Sequence, residues 1–425
     1  MKPRVVITGM GVVAPNGYGL DSFEQGLREG RSGIRFFPRL KELQFGCQIG
    51  GMPQGFDEVR KSYFDHEKLL SLNDNIGYIS VSAVDAWRDA GLEVPRDDDP
   101  VDWETGAILG CGIGGMDTIA ETIVPMVNEG KTRRMGSRVV EQVMNSGTSA
   151  RVGGLLALGN QVTSNSAACS TGTEAIVDAL WRIRAGLATR MLAGGSEGAS
   201  PYIWAGFDSM RVIARKFNDQ PEKGSRPMSA TANGFVPGAG GAVLVLEELE
   251  AAQSRGARIY AEILGGAVNC GGQRNGGSMT APNPEGVQRC IRGALADAGI
   301  SPHEIDAING HLTATFADPS EVENWSRALE RGPDDFPYIS STKSMIGHCL
   351  GAAGAIESVA VALQLYKGFL HPSVNCEDVH PGIAAFAHRI PQTVMEYPEL
   401  KIIAKASFGF GDVNGCLIFK KWEKA

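Results

Sequence analysis

SNSAACSTGTEA (164–175) places Cys169 where an apolar run rich in small residues stops and a helical pattern begins. Upstream, QVTSNS (161–166) reads as a short strand; downstream, Ala175, Ile176, Ala179, Leu180 and Ile183 recur at the spacing of one helix face. Ser166, Ser170 and Thr171 are residue types that cap helices. Strand, tight turn and helix form the repeating unit of an α/β fold. A thiol at such a turn meets exposed amides and the positive end of the helix dipole, which predicts a lowered pKa and a thiolate near neutral pH. A cysteine met alone is more often a buried core residue, so the rest of the chain must supply the partners of a nucleophile.

Working outward, short apolar strands alternate with helical patterns on both sides of this unit. RVVITGM (4–10), a helix near 74–91, GAILGCG (106–112), MLAGGSE (191–197) and GAVLVLEEL (241–249) make a first half, with EAAQSRGA (250–257) as a polar connector. RIYAEILGGAV (258–268), a helix at 285–299, AINGH (307–311), a helix near 320–330, GAAGAIESVAVALQLYKG (351–368), KIIAKASFG (401–409) and CLIFKKW (416–422) repeat the pattern. The chain therefore divides into 1–257 and 258–425, two halves alike in element order without evident sequence identity.

With 425 residues, 21% charged and 43% hydrophobic, the chain has the composition of a large soluble enzyme, and a net charge of −8 argues against a nucleic-acid partner. The eight cysteines include no CxxC pair and no cluster with histidine at metal-site spacing, so no zinc site is expected and a reducing, cytoplasmic setting fits. MKPRVVITGMGVV reads as a first strand rather than a signal peptide, and no apolar stretch approaches the roughly 20 residues of a membrane span.

Seven histidines can be surveyed singly. His311 ends AINGH and is followed by LTAT, which sets Thr313 and Thr315 on one side of an extended segment. His348 sits at a turn before a helix rich in alanine and glycine, five residues after Lys343. Imidazoles at element ends suit stabilisation of an oxyanion or enolate. His66, His303, His371, His380 and His388 read as surface or satisfied core. In SFGFGDVNG (407–415), glycines around Phe408 and Phe410 allow a backbone N–H to approach a reacting atom and form an oxyanion hole with the Cys169 N–H.

In this order the motifs resemble the elongating β-ketoacyl-(acyl carrier protein) synthases over essentially the whole chain. VVITGMG, GCGIGG (110–115), GSRP (224–227), MTAP (279–282) and GAAGAIE match as well. The resemblance implies a thiolase-like fold, two similar βαβαβαββ halves in a five-layered αβαβα arrangement. It implies decarboxylative condensation of an acyl group on Cys169 with malonyl-(acyl carrier protein), in fatty acid or specialised polyketide or polyene synthesis. It also implies no cofactor, since phosphopantetheine arrives on the carrier protein, and a homodimer, with a heterodimer as the variant. Under it His311 and His348 hold the enolate, Lys343 supports the His311 region electrostatically or through an ion pair with Glu357, and Phe410 supplies the second oxyanion amide. Ile113 and Phe408 belong to the acyl pocket and its gate, Thr280, Thr313 and Thr315 to the pantetheine channel, and Arg133, Arg134 and Arg211 to carrier docking.

Departures from the family pattern mark where this chain is specialised. HLTATFAD (311–318) replaces HGTxTPxGD, with Leu312, Phe316 and one residue fewer before Asp318. MSATANGF (228–235), with Asn233, lacks charges usual there, implying loss of an internal charge network. Asp412 in the glycine loop is expected to stiffen it or add a polar contact, and Leu70 and Ser71 replace basic residues. Three alternatives stand beside the condensing reading. One is a chain-length-determining scaffold subunit, which relatives of that kind fill without the cysteine. The second is a thiolase-type acyltransferase; thiolases use a second cysteine near the C-terminal glycine loop, whereas Cys416 falls after that loop in a strand and two histidines occupy the pocket instead. The third is a dinucleotide oxidoreductase, from Gly9, Gly11 and Ala14 in GxGxxA register.

Overall fold

The computed structural model describes residues 2–423. Its frame is a mixed sheet of 11 strands. Five belong to the first half: β1 (Val5–Ala14), β2 (Thr105–Gly110), β3 (Val162–Thr163), β4 (Arg190–Glu197) and β5 (Gly240–Glu248). Five belong to the second: β6 (Ala261–Cys270), β7 (Ala307–Asn309), β8 (Tyr338–Ser340), β9 (Ile402–Gly409) and β10 (Val413–Lys421). The two-residue strand Gly17–Tyr18 completes the sheet by pairing with β1.

Across the sheet the order is β8-β7-β9-β10-β6-β1-β5-β4-β2-β3. Counted within its own half, each set runs third, second, fourth, fifth, first. The directions repeat too: the third, second and fourth strands are parallel, and the fifth is antiparallel to both neighbours. The halves meet where β1 pairs antiparallel with β6, Val5 opposite Ile263.

Six helices build the layers: α1 (Asp74–Asp89), α2 (Gly147–Leu155), α3 (Thr171–Arg184), α4 (Pro284–Ala298), α5 (Asp318–Leu329) and α6 (Ala353–Lys367). α3 and α6 touch one another and strands of both halves, so the sheet folds around them. α6 is buried without a break from Ala353 to Leu365, its polar Glu357, Ser358 and Gln364 included, as the central helix of the fold. α1 and α2 cover the outer face of the first strands, and α4, packed on α5, covers the second. The result is the five-layered αβαβα arrangement of the thiolase-like folds.

Two local expectations change. EAAQSRGA does not run as a connector throughout, because Leu249–Ser254 is a helix that buries Leu249 and Ala252. Gly9 and Gly11 lie inside β1, not in a phosphate-binding turn. A Cβ on either would collide with the α1 backbone carbonyls of Ala86 or Ser82, so these glycines serve close strand–helix packing and the dinucleotide reading falls.

Candidate active site

Cys169 lies in a single 3-10 turn, Ala168–Ser170, that leads into α3. The turn is sharp: Ala168 has φ of 47° in the left-handed region. Thr171 clamps it, its hydroxyl donating to the Ala168 carbonyl at 2.7 Å and accepting from the Ala167 N–H at 2.8 Å. The capping types in this segment thus act through Thr171, while the Ser170 hydroxyl has no hydrogen-bond partner among the described residues.

Burial pushes the Cys169 thiol up to about 11, while the Phe410 N–H and the Lys343 charge pull it down. The lowering expected at a helix start is therefore overruled, because a sulfur removed from water loses more by desolvation than the dipole returns. The resting group is a protonated thiol. Its alkylation by iodoacetamide should accelerate about tenfold per pH unit from pH 7 to 9, since the thiolate fraction rises that way below the pKa. A rate that levels off near pH 8 would contradict this.

The two histidines arrive from the second half. His311 follows β7, and its main chain is held at both ends: Glu321 Oε1 accepts its N–H at 2.6 Å, and its carbonyl accepts from Lys343 Nζ at 2.7 Å. His348 follows a left-handed Gly347, its N–H on the Val236 carbonyl at 2.7 Å and its carbonyl on the Gly238 N–H at 2.8 Å. The rings stand edge to face with centroids 5.4 Å apart. His348 Nδ1 accepts the Leu350 N–H at 3.2 Å, which puts the ring proton on Nε2 as a donor. Burial and the neighbouring Lys343 charge hold both imidazoles well below the ordinary histidine range, so both are neutral.

The Cys169 thiol and one ring nitrogen from each histidine lie within 4.8 Å of one another. Spacing along the chain is blind to this trio, whose members are 142 and 37 residues apart by subtraction of their numbers. A metal-binding imidazole normally donates its second nitrogen's proton to a carbonyl or carboxylate. His348 instead accepts at Nδ1, which suits it to donate to an oxyanion rather than to ligate an ion.

These groups open onto a cavity of about 530 Å³ that also includes Thr280, Thr313, Thr315, Phe408, Phe410 and Arg211 in its wall. Thr313 and Thr315 share a side, their hydroxyls 3.1 Å apart, yet the segment is not extended. Leu312 and Ala314 have φ of 25° and 64°, and the loop curls over the buried Asp318 carboxylate, which accepts the N–H groups of Thr313, Ala314, Thr315 and Met228. With the loop so curled, Phe316 stands 87% exposed at the lip. Four residues expected at the site lie outside the cavity wall. Ile113 is half-buried and packs on the same apolar cluster as Phe207, whose ring centroid lies 6.1 Å from that of Phe410, and Arg133 and Arg134 lie on an exposed turn. Lys343 is buried beneath the floor, bonded to Glu357 as well as to the His311 carbonyl.

The charge network expected to be lost near residue 230 persists in another form: buried Arg226 pairs with Glu377 at 2.7 Å and Asp378 at 3.1 Å. Asp412 is a tether, its carboxylate accepting the Gln273 N–H at 2.9 Å and the Asn283 N–H at 2.7 Å, which ties the glycine loop to the segment carrying Thr280. Cys416 is buried in β10 and outside the cavity, so the thiolase reading lacks its second cysteine.

Sequence reasoning passed over three groups. Glu321 orients His311 and Leu312. Glu197 accepts the N–H groups of Gly112, Ile113 and Gly351 at 2.9–3.0 Å, joining the GCGIGG turn to the start of α6; burial raises its pKa to about 7. Lys405 stands fully buried in β9, and a lysine inside an otherwise buried strand was the available signal.

A nucleophilic thiol, two neutral imidazoles and a backbone amide at one cavity floor define a thiolase-like acyl-transfer enzyme. The family model for the β-ketoacyl synthase N-terminal domain matches residues 2–252, and that for the C-terminal domain matches 260–377. The chain belongs to the β-ketoacyl synthase family and is an acyltransferase. It is 35% identical over 425 residues to a chloroplastic 3-oxoacyl-[acyl-carrier-protein] synthase I of Arabidopsis thaliana, covering 99% of this chain and 87% of that one. It is 36% identical over 427 residues to 3-oxoacyl-[acyl-carrier-protein] synthase 2 of Coxiella burnetii, with 99% of each chain covered. Among solved structures, a β-ketoacyl synthase from Burkholderia phymatum superposes with a TM-score of 0.89 at 32% identity, and both chains are fully covered. A type II polyketide ketosynthase in complex with its acyl-carrier protein superposes at 0.88 with 28% identity, covering 99% of this chain and 100% of that one.

Proposed function

We propose that this enzyme joins an acyl group held on Cys169 to malonyl-(acyl carrier protein), releasing carbon dioxide and yielding β-ketoacyl-(acyl carrier protein) in fatty acid or specialised polyketide synthesis. The observation that carries the reading is the meeting of Cys169, His311 and His348 within 4.8 Å beneath one open cavity. In the first half-reaction the Cys169 sulfur bonds to the acyl carbonyl carbon, and the carrier's pantetheine thiol leaves with a proton. The Cys169 and Phe410 amides stabilise the tetrahedral oxyanion. In the second, the malonyl thioester loses carbon dioxide, and the electron pair of the broken bond becomes an enolate held by His311 and His348. Its carbon attacks the acyl carbonyl, and the Cys169 thiolate leaves and regains a proton.

Lys343 supports this step through the His311 carbonyl. Thr280, Thr313 and Thr315 line the pantetheine path, and the acyl chain runs past Phe408 and Phe410 toward Ile113. Arg211 at the mouth, with Arg133 and Arg134, receives the acidic carrier. We read residues 1–257 and 258–425 as the two thiolase-like halves, the first holding the nucleophile and the second the histidines. The free edge of β3 and the exposed Val124, Val127 and Val140 suit pairing with a second copy. Among the described residues no helix is long and apolar enough to cross a membrane. We place the enzyme in the cytoplasm, where its free thiols stay reduced.

Incubation with a panel of acyl carriers and then malonyl carrier tests the function. Intact-protein mass should rise by one acyl group at Cys169, and a β-ketoacyl carrier should follow. An unmodified Cys169 with every acyl carrier in the panel would refute the reading. Product formed only with a second, cysteine-bearing synthase would favour the scaffold role.

A further inference from the structure

Beneath the site, two buried ammonium groups share one carboxylate. Glu357 on α6 bonds Lys343 through Oε1, and its Oε2 lies 3.1 Å from Lys405 Nζ. Lys343 and Lys405 are each at most 1% exposed, and Glu357 is fully buried. Lys405 also donates to Thr173 Oγ1 at 2.5 Å and to Ser407 Oγ. Its one ammonium therefore touches α3, which follows the nucleophile's turn, β9, which leads into the oxyanion loop, and α6. Through Glu357 it reaches Lys343, and through Lys343 the His311 carbonyl. A lone lysine–glutamate pair is neutral; the second lysine makes the cluster net positive, and a buried charge kept at that expense needs a reason.

We propose that Lys405 is a positioning residue for the malonyl half-reaction: it fixes Glu357 so that Lys343 stays on the His311 carbonyl. The proposal rests on the condensing function above and deepens it. The charged and titratable groups around His311 are Lys343, His348, Lys405, Glu321 and Cys169; those around Lys405 are Glu357, Lys343 and Cys416. Both lysine charges oppose protonation of both rings. Burial itself lowers Lys405 to about 8, so its charge is retained at neutral pH and lost on the alkaline side.

Removing the Lys405 charge should raise the pKa values of both histidines, and the acid limb of malonyl decarboxylation should move to higher pH. The test uses the full chain as Lys405→Met and as Lys405→Gln, which keeps a donor for Glu357. Two half-reactions are measured separately: acyl transfer to Cys169 by intact mass, and carbon dioxide release from malonyl carrier across pH. Acyl transfer should stay within about twofold of wild type, while decarboxylation falls roughly tenfold, the scale of losses at residues acting through another. Its acid limb should shift upward in both variants. Equal decline of both half-reactions with an unmoved acid limb overturns the proposal, as does unchanged decarboxylation. Failure of both variants to fold assigns Lys405 to stability alone and overturns it too. Turnover of the wild-type enzyme in the same assay reports separately on the condensing function.

Discussion

Cys169→Ala should abolish condensation, by at least about a thousandfold, while leaving carbon dioxide release from malonyl carrier measurable. The loss follows from the covalent step: without the sulfur there is no acyl-enzyme for the enolate to attack. The residual decarboxylation follows from the division of labour in the cavity, because His311 and His348 are held by main-chain contacts that do not involve the thiol. The substitution removes one buried sulfur and leaves the Thr171 clamp in place, so the unfolding temperature should change little. Full condensation by the alanine variant would end the assignment of Cys169 as nucleophile. Loss of decarboxylation together with condensation would show that the two half-reactions are not separable as described.

His348→Ala should produce the reverse pattern. Acylation of Cys169 persists, while decarboxylation falls about 10²–10³-fold, the usual cost of removing one preorganised oxyanion donor. The direction rests on the tautomer: Nδ1 is engaged by the Leu350 N–H, so Nε2 is the group that donates into the cavity. Because burial holds this imidazole neutral, wild-type decarboxylation should not decline until the pH is well below the ordinary histidine range. Separate carbon dioxide and intact-mass assays read both effects, and a variant that loses acylation as severely as decarboxylation would contradict the assigned role.

The α/β alternation was legible because its strands are short apolar runs and its helices carry one-sided periodicity. Cys169, His311, His348 and the glycine loop were legible because each sits at an element boundary, where local pattern is strongest. The sequence offers Lys343 as an electrostatic support or an ion pair with Glu357, and one ammonium has protons for both, reaching the His311 carbonyl and Glu357 together. Other features were hidden. The curl of the Thr313–Thr315 loop depends on Asp318 collecting four backbone N–H groups, an arrangement with no periodic signature. Glu197 and Glu321 look like ordinary surface carboxylates until their surroundings are known.

By itself the sequence determined the element order, the family and the residue types able to do the chemistry, because periodicity and motif order are properties of the chain. Only the tertiary structure decided how those residues behave. The SNSAACSTGTEA turn predicts a thiolate from local dipoles, but burial beneath the second half makes it a protonated thiol with its pKa near 11. The physical reason is that desolvation and charge pairing depend on what encloses a group. Here His311, His348 and Phe410 come from distant segments to meet it at the cavity floor.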